Sequence, residues 1–87
     1  MSQPNIFTIL YFAAAADFTG KDSEQLVGPI AMTELFGKLE PKYPEITKAI
    51  LNGCMVAVNG RYVDPTDKEL EIKVGDEVAI IPPVSSG

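Results

Sequence analysis

The sequence predicts a small α+β domain in which a mixed sheet of four to five strands carries one main helix across one face. Short apolar segments rich in β-branched and aromatic residues open and close the chain. Between them lies one segment with apolar residues at helical spacing. With 87 residues, 46% of them hydrophobic, the chain is predicted to form a single domain with one core and little room for a deep pocket.

The first third of the chain is predicted to contain two strands separated by a helical turn. Residues 5–12 are apolar on both faces, which suits a central strand covered on each side or a strand close to the edge of the core. Residues 13–19 are good helix formers and precede Gly20, which favours the end of a helix. Ser23–Val27 is a short extended segment that is expected to pair back on the first strand.

The middle of the chain is predicted to be helical. Apolar residues at positions i, i+3, i+4 and i+7 define the main amphipathic helix: Met32, Leu35, Phe36 and Leu39. Pro44 can start a second short helix, which is predicted over residues 45–51 with Ile46 and Ile50 turned inward. We expect the main helix to pack on its own sheet.

A hairpin is the clearest prediction in the second half. Met55–Val58 and Arg61–Val63 flank Asn59-Gly60, the pair that best supplies the positive φ angles of a type I′ turn. Further extended segments are predicted at residues 70–72 and at Glu77–Ile81.

The composition disfavours several classes of function. The chain has no histidine and no pairing pattern of carboxylates, so independent acid–base catalysis is not expected. Its net charge of −5, with seven scattered basic residues, disfavours nucleic-acid binding. The apolar run of residues 6–16 is too short for a membrane span and has no basic residue before it, so neither a signal sequence nor a membrane segment is expected.

The single cysteine, Cys54, cannot form an internal disulfide, which favours a reducing compartment, the cytosol. No basic residue lies close to it in the sequence, so we interpret it as a structural thiol. The acidic residues at Asp64 and Asp67 do not have the spacing of a calcium loop and are interpreted as a solvated turn. No metal site is expected.

The end of the chain is predicted to be an arm. Pro82 and Pro83 stop the last strand, which divides the chain into a domain over residues 1–81 and a flexible tail over residues 82–87. After the prolines come only small side chains: Val84, Ser85, Ser86 and Gly87. Six extended residues reach about 20 Å, enough to enter a channel in another protein. The alternative is an ordinary frayed terminus.

Three segments together resemble the small subunits of molybdopterin synthase, a family of ubiquitin-like sulfur carriers. They are residues 9–13 (ILYFA), 74–81 (VGDEVAII) and 82–87 (PPVSSG). The resemblance covers nearly the whole chain and implies a β-grasp fold, which agrees with the order of strands and helices predicted above.

The resemblance also implies a chemical role for the terminus. A separate ubiquitin-activating-like enzyme, an adenylyltransferase and sulfurtransferase, would use ATP to adenylate the carboxylate of Gly87, and a sulfur donor would convert it to a thiocarboxylate. The tail (Pro82, Pro83, Val84, Ser85 and Ser86) would deliver that sulfur into the large subunit of the synthase, for dithiolene formation on cyclic pyranopterin monophosphate. The implied assembly has two large and two small subunits, and the carrier itself binds no cofactor.

One residue departs from the family pattern, which ends in Gly-Gly. Ser86 stands at the penultimate position, and a glycine-only conformation there would cost about 1–3 kcal/mol. Two alternatives stay open at the level of sequence. The chain could carry sulfur for thiamin synthesis or tRNA thiolation, or it could be a passive ubiquitin-like interaction domain with an inert tail.

Overall fold

A computed structural model describes residues 4–83. In chain order the strands and α-helices are β1 (Ile6–Tyr11), α1 (Ala14–Thr19), β2 (Ser23–Val27), β3 (Ile30–Ala31), α2 (Leu35–Leu39), α3 (Ile46–Ala49), β4 (Met55–Val58), β5 (Arg61–Val63), β6 (Glu71–Ile72) and β7 (Glu77–Ile81). Single 3-10 turns precede α2 at Met32–Glu34 and follow α3 at Leu51–Gly53.

Five strands form one mixed sheet in the order β2-β1-β7-β4-β5. β1 and β7 are parallel, and the other neighbours in this sheet are antiparallel. β3 and β6 form a separate antiparallel pair. The predicted mixed sheet of four to five strands is confirmed, and β7, the last described strand, lies at its centre.

The core lies between one face of this sheet and the helices. β1 alternates between buried and half-buried residues, so it is an internal strand at the edge of the core and is not covered on both sides. The core cluster joins residues from the strands and the helices: Phe7, Ile9, Tyr11, Ala15, Met32, Leu35, Leu39, Ile46, Leu51, Val56, Ile72, Val78 and Ile80. Burial of this apolar surface is the main stabilising contribution.

The helices are shorter than the pattern suggests. The main helix consists of a 3-10 turn followed by the five residues of α2, and Leu35 and Leu39 are fully buried as predicted. The second helix begins at Ile46 rather than at residue 45, because Glu45 has a left-handed backbone with φ 77°. The Glu40 carboxylate accepts the Glu45 N–H at 2.7 Å and the Thr47 N–H at 3.0 Å, which satisfies donors at the start of α3.

The β4–β5 hairpin confirms the predicted turn. Asn59 and Gly60 have φ angles of 51° and 83°, as a type I′ turn requires. The Asn59 side chain donates to Asp76 Oδ1 at 3.0 Å and accepts the Glu77 N–H at 2.9 Å. This turn is therefore fastened to the turn that precedes β7.

Candidate functional site

The strand that leads into the predicted tail lies at the centre of the sheet. β7 pairs with β1 on one side and with β4 on the other, and the Phe12 N–H donates to the Ile80 carbonyl at 3.2 Å. One residue past the strand, Pro82 is buried, whereas Pro83 is exposed. We call Pro82 the root of the tail.

Most of the predicted site lies outside the described residues. This holds for Val84, Ser85, Ser86 and the reactive Gly87, so their predicted roles stay predictions. The structure shows where Pro82 and Pro83 lie and which surface surrounds them. The boundary of the tail at residue 82 also stays a prediction.

One face of the sheet points away from the helices, and we call it the open face. It consists of alternate residues of the five strands: Ile6, Thr8, Leu10, Ser23, Gln25, Val27, Met55, Ala57, Tyr62, Glu77, Ala79 and Ile81. Glu77 is the one charged residue among these positions. A sheet face with so little charge is suited to contact with another protein.

The centre of the open face carries small side chains. A row across the sheet runs from Tyr62 through Ala57 and Ala79 to Leu10. Ala57 is only 7% exposed and Ala79 is half-buried, so neighbouring side chains cover much of this part of the face. Tyr62 is 67% exposed, so most of its ring is available to a partner.

The end of the open face nearest the tail also exposes large apolar side chains. Ile81 pairs with Met55, which is 52% exposed. Phe12 follows β1 at the same end of the sheet and is 47% exposed. The root of the tail therefore lies at the rim of an apolar surface, a location that the sequence did not reveal.

The chain turns sharply beside this rim. Ala13 has φ 50° and ψ −124°, a conformation that residues other than glycine rarely adopt. The turn connects β1 to α1 and leaves Phe12 exposed. A shallow depression next to it is lined in part by Leu10, Phe12, Ala13 and Ala16.

A buried carboxylate fixes β2 to the rest of the domain. Glu24 Oε1 accepts hydrogen bonds from the hydroxyls of Tyr11 at 2.5 Å and Tyr43 at 2.6 Å. Its other oxygen lies 3.1 Å from Lys42 Nζ and 3.6 Å from Lys21 Nζ, and the Glu24 side chain is only 7% exposed. The cluster joins the sheet edge to the segment between α2 and α3, so we interpret it as structural.

Opposing effects act on the pKa of Glu24. Burial raises that pKa, but the hydrogen bonds from Tyr11, Tyr43 and Lys42 together outweigh burial and hold the pKa below its ordinary value. Burial, and then the Glu24 carboxylate, raise the pKa of Tyr11 well above its usual range. Glu24 therefore stays ionised and the Tyr11 hydroxyl stays protonated near neutral pH.

Sequence reasoning missed this cluster. The available signal was the alternation along β2, which puts Glu24 on the same side of the strand as the half-buried Leu26. A carboxylate at such a position needs hydrogen-bond donors. The two tyrosines that supply them are 13 and 19 residues away in sequence.

The Cys54 thiol and the turn at Asp64 have the structural roles that the sequence predicted. Cys54 is half-buried, its thiol donates to the Leu51 carbonyl at 3.2 Å, and burial raises its pKa, so it is not an activated thiol. Asp64 accepts the N–H and the hydroxyl of Thr66 at 2.8 and 2.6 Å, as in an ordinary turn. Within residues 4–83 no cluster of three or more cysteine or acidic residues is arranged to hold a metal ion.

Comparison with known proteins identifies the family. The model of the ThiS family matches residues 9–87. The chain belongs to the ThiS family. A molybdopterin synthase sulfur carrier subunit of Pyrenophora tritici-repentis is 55% identical to this ThiS-family chain over 83 residues, covering 93% of the chain and 89% of the relative. The resemblance inferred from the three sequence segments is thus confirmed.

Solved structures confirm the β-grasp fold of this ThiS-family chain. A putative molybdopterin converting factor subunit 1 from Pyrococcus furiosus superposes with a TM-score of 0.74 at 28% identity, covering 91% of this chain and 98% of that one. A complex of subunits 1 and 2 of the molybdopterin-converting factor from Helicobacter pylori contains a chain that matches with a TM-score of 0.69 at 22% identity. That match covers 94% of this chain and 99% of the other.

The helices of the described region are short. None of those between residues 4 and 83 is long and apolar enough to cross a membrane.

Proposed function

We propose that this chain is the sulfur carrier subunit of a molybdopterin synthase and works in the cytosol. It carries sulfur as a thiocarboxylate on Gly87 for dithiolene formation on cyclic pyranopterin monophosphate. The relative at 55% identity bears the name of this subunit, and the family match extends through residue 87 and so includes the tail. The apolar open face with the tail root at its rim is the structural observation that carries the proposal.

The chemistry needs an activated carboxyl group. A carboxylate at the end of a chain is ionised at neutral pH and is a poor electrophile. Adenylation by the ubiquitin-activating-like enzyme consumes ATP and makes AMP the leaving group, which a sulfur donor then displaces as the new C–S bond forms. ATP is bound by that enzyme, and this chain contributes the reacting group.

The open face is where the large subunit docks. A partner that covers this nearly uncharged surface contacts Tyr62 and Met55 and meets the root of the tail at the same end of the sheet. Docking and delivery of the tail are then one event. The Helicobacter pylori complex of subunits 1 and 2 supports a large-subunit partner, and we propose an assembly of two large and two small subunits.

The proposal is tested by intact mass spectrometry. The chain is incubated with the activating enzyme of the molybdopterin pathway, ATP and a sulfur donor, and replacement of one terminal oxygen by sulfur is the expected product. Deletion of Gly87 removes the acceptor and is the matched control. Charging of the deletion variant contradicts a sulfur carrier. So does the absence of charging in both the wild type and a Ser86→Gly variant, a result that favours the passive interaction domain.

The destination of the sulfur needs a second measurement. The charged chain is mixed separately with the large subunit of molybdopterin synthase and cyclic pyranopterin monophosphate, and with the acceptor enzyme for thiamin synthesis and its own substrates. Complex formation and sulfur loss are expected with the molybdopterin partner only. The reverse pattern assigns the carrier to the other pathway.

A further inference from the structure

The sulfur-containing side chains of residues 4–83 differ sharply in exposure. They are Met32, Cys54 and Met55. Met32 is 1% exposed and belongs to the core cluster, whereas Met55 is 52% exposed at the start of β4. A dissolved oxidant therefore reaches the thioether of Met55 directly, but it reaches that of Met32 only after the domain opens.

Cys54 precedes Met55 in the sequence but is protected in a different way. Its side chain is half-buried, and its thiol donates to the Leu51 carbonyl at 3.2 Å. Peroxides react with the thiolate, and burial raises the pKa of this thiol, so little thiolate is present near neutral pH. A thioether has no proton to lose, so the reactivity of Met55 does not depend on such an ionisation.

Met55 also lies where a change of polarity affects docking. It belongs to the open face, where it pairs with Ile81 across β4 and β7. Ala57, the next residue of β4 on that face, is only 7% exposed, so Met55 is the side chain of β4 that offers apolar surface to a partner at this end of the sheet. This is the surface on which the large subunit docks under the proposed function.

We propose that Met55 is a site of reversible oxidation by hydroperoxides, and that the sulfoxide weakens docking of the large subunit on the open face. This inference rests on the proposed function and adds a regulation to its docking surface. A carrier oxidised at Met55 keeps its fold, because the side chain lies outside the core cluster.

The chemistry balances in both directions. In the forward step the thioether sulfur attacks the terminal oxygen of the hydroperoxide, so that an S–O bond forms and the O–O bond breaks. Sulfur loses two electrons, and the oxidant leaves as water or an alcohol. In the reverse step a sulfoxide reductase oxidises two thiols to a disulfide, and the oxygen leaves as water.

The sulfoxide acts through its polarity. Oxidation replaces an apolar, adaptable side chain by a polar one whose oxygen accepts hydrogen bonds. In the free carrier water supplies the donors, but an apolar interface leaves that oxygen without one. This loss is expected to raise the Kd for the large subunit about tenfold.

The first test measures which sulfur is oxidised. The folded chain is treated with hydrogen peroxide, and oxygen gain at each residue is followed by peptide mapping with mass spectrometry. Met55 is expected to react at least about tenfold faster than Met32, and before Cys54. Met1 lies outside the described residues and is followed separately. Equal rates at Met32 and Met55, or earlier oxidation of Cys54, contradict the assignment of the site.

The second test measures docking. The Kd for the large subunit is determined before and after peroxide by isothermal titration, and each protein is compared with its own untreated form. Wild type and Cys54→Ala, which keeps Met55, are expected to lose about tenfold in affinity. Met55→Leu has no thioether at this position, so peroxide is expected to change its Kd by less than about threefold. Treatment of oxidised wild type with sulfoxide reductases for both epimers and a thiol is expected to restore the original Kd.

The outcomes separate this inference from the proposed function. If the untreated chain binds the large subunit and the chain oxidised at Met55 binds within about threefold of it, the regulation is wrong and the proposed function stands. An equal loss in Met55→Leu assigns the effect to another residue, and a loss that persists after the thioether is restored shows other damage; either result overturns the inference. If the untreated chain does not bind, the proposed docking is wrong and the inference falls with it.

Discussion

Tyr62 allows the docking surface to be tested with a calculated effect. Its side chain is 67% exposed on the open face, opposite Ala57. A tyrosine buries roughly 150–250 Å², so about 130 Å² of this side chain is still available for burial. At about 25 cal/mol per Å², covering that area contributes about 3 kcal/mol. Loss of side-chain freedom on binding reduces this figure, so Tyr62→Ser is expected to weaken the complex by about 1.5–3 kcal/mol.

That range corresponds to a Kd that is about 10-fold to 150-fold higher. The assay is isothermal titration of the large subunit with each variant of the carrier. Val74→Ser is the matched control, because Val74 is 44% exposed but lies in the turn before β7, outside the open face. We expect the control to bind within about threefold of wild type, since a surface residue outside the interface contributes little.

The refuting result is specific. If Tyr62→Ser binds like wild type while Val74→Ser binds weakly, the large subunit docks elsewhere and the interpretation of the open face is wrong. Urea unfolding of Tyr62→Ser checks that the free domain is intact, since loss of the cross-strand contact with Ala57 costs only about 0.2–1 kcal/mol.

Three further predictions concern the cluster, the hairpin and the tail. Glu24→Gln is expected to lower the free energy of unfolding by about 2–3 kcal/mol in urea denaturation at pH 7. Because the folded-state pKa of Glu24 is lowered, the stability that its carboxylate contributes is present above the ordinary pKa of 4.5 and is lost as pH falls through the folded pKa. The variant should therefore lose less stability than wild type on acidification, and an equal loss would contradict the structural role of Glu24. Gly60→Ala is expected to lower the free energy of unfolding by about 1–2 kcal/mol in the same assay. The cost comes from the positive φ of 83° alone, because no other atom lies within 4 Å of the added Cβ to clash with it. An unchanged urea midpoint would show that the turn is not type I′ in solution. Ser86→Gly is expected to speed charging of Gly87 about tenfold or more, because it removes the strain of holding a serine in a glycine-only conformation in the activating enzyme. The rate of charging is followed by mass spectrometry, and equal rates for the two proteins would show that Ser86 causes no strain.

Much of the fold follows from local signals. The Asn59-Gly60 pair determines the hairpin, because few other residue pairs tolerate two positive φ angles in succession. The alternation along β7 predicts one buried face, and Val78 and Ile80 are fully buried there. Each of these features depends on neighbours in sequence, which is why the sequence alone was sufficient.

Other features depend on contacts between distant residues. The start of α3 was predicted one residue too early, because Glu45 is held in a left-handed conformation in which its N–H reaches the Glu40 carboxylate. The Glu24 cluster depends on Tyr43, which reaches β2 only once the helices are packed. Neither arrangement has a signature within a short window of sequence.

Only part of the candidate site could be predicted from the sequence. The prolines and the small residues of the tail were recognisable as a motif, but the location of the root was not. Pro82 lies at the rim of an apolar face because β7 is inserted between β1 and β4, a consequence of the strand order. That order is a property of the whole chain rather than of the tail.

The most direct test of the account is a reconstitution that bypasses activation. The chain is prepared chemically with a thiocarboxylate on Gly87 and mixed with the purified large subunit and cyclic pyranopterin monophosphate, and molybdopterin is measured together with the mass of the spent carrier. The account predicts that molybdopterin forms as the terminal sulfur is replaced by oxygen, and that the unmodified chain forms none. An intact thiocarboxylate and no molybdopterin, with a large subunit that is active with another carrier, would contradict it.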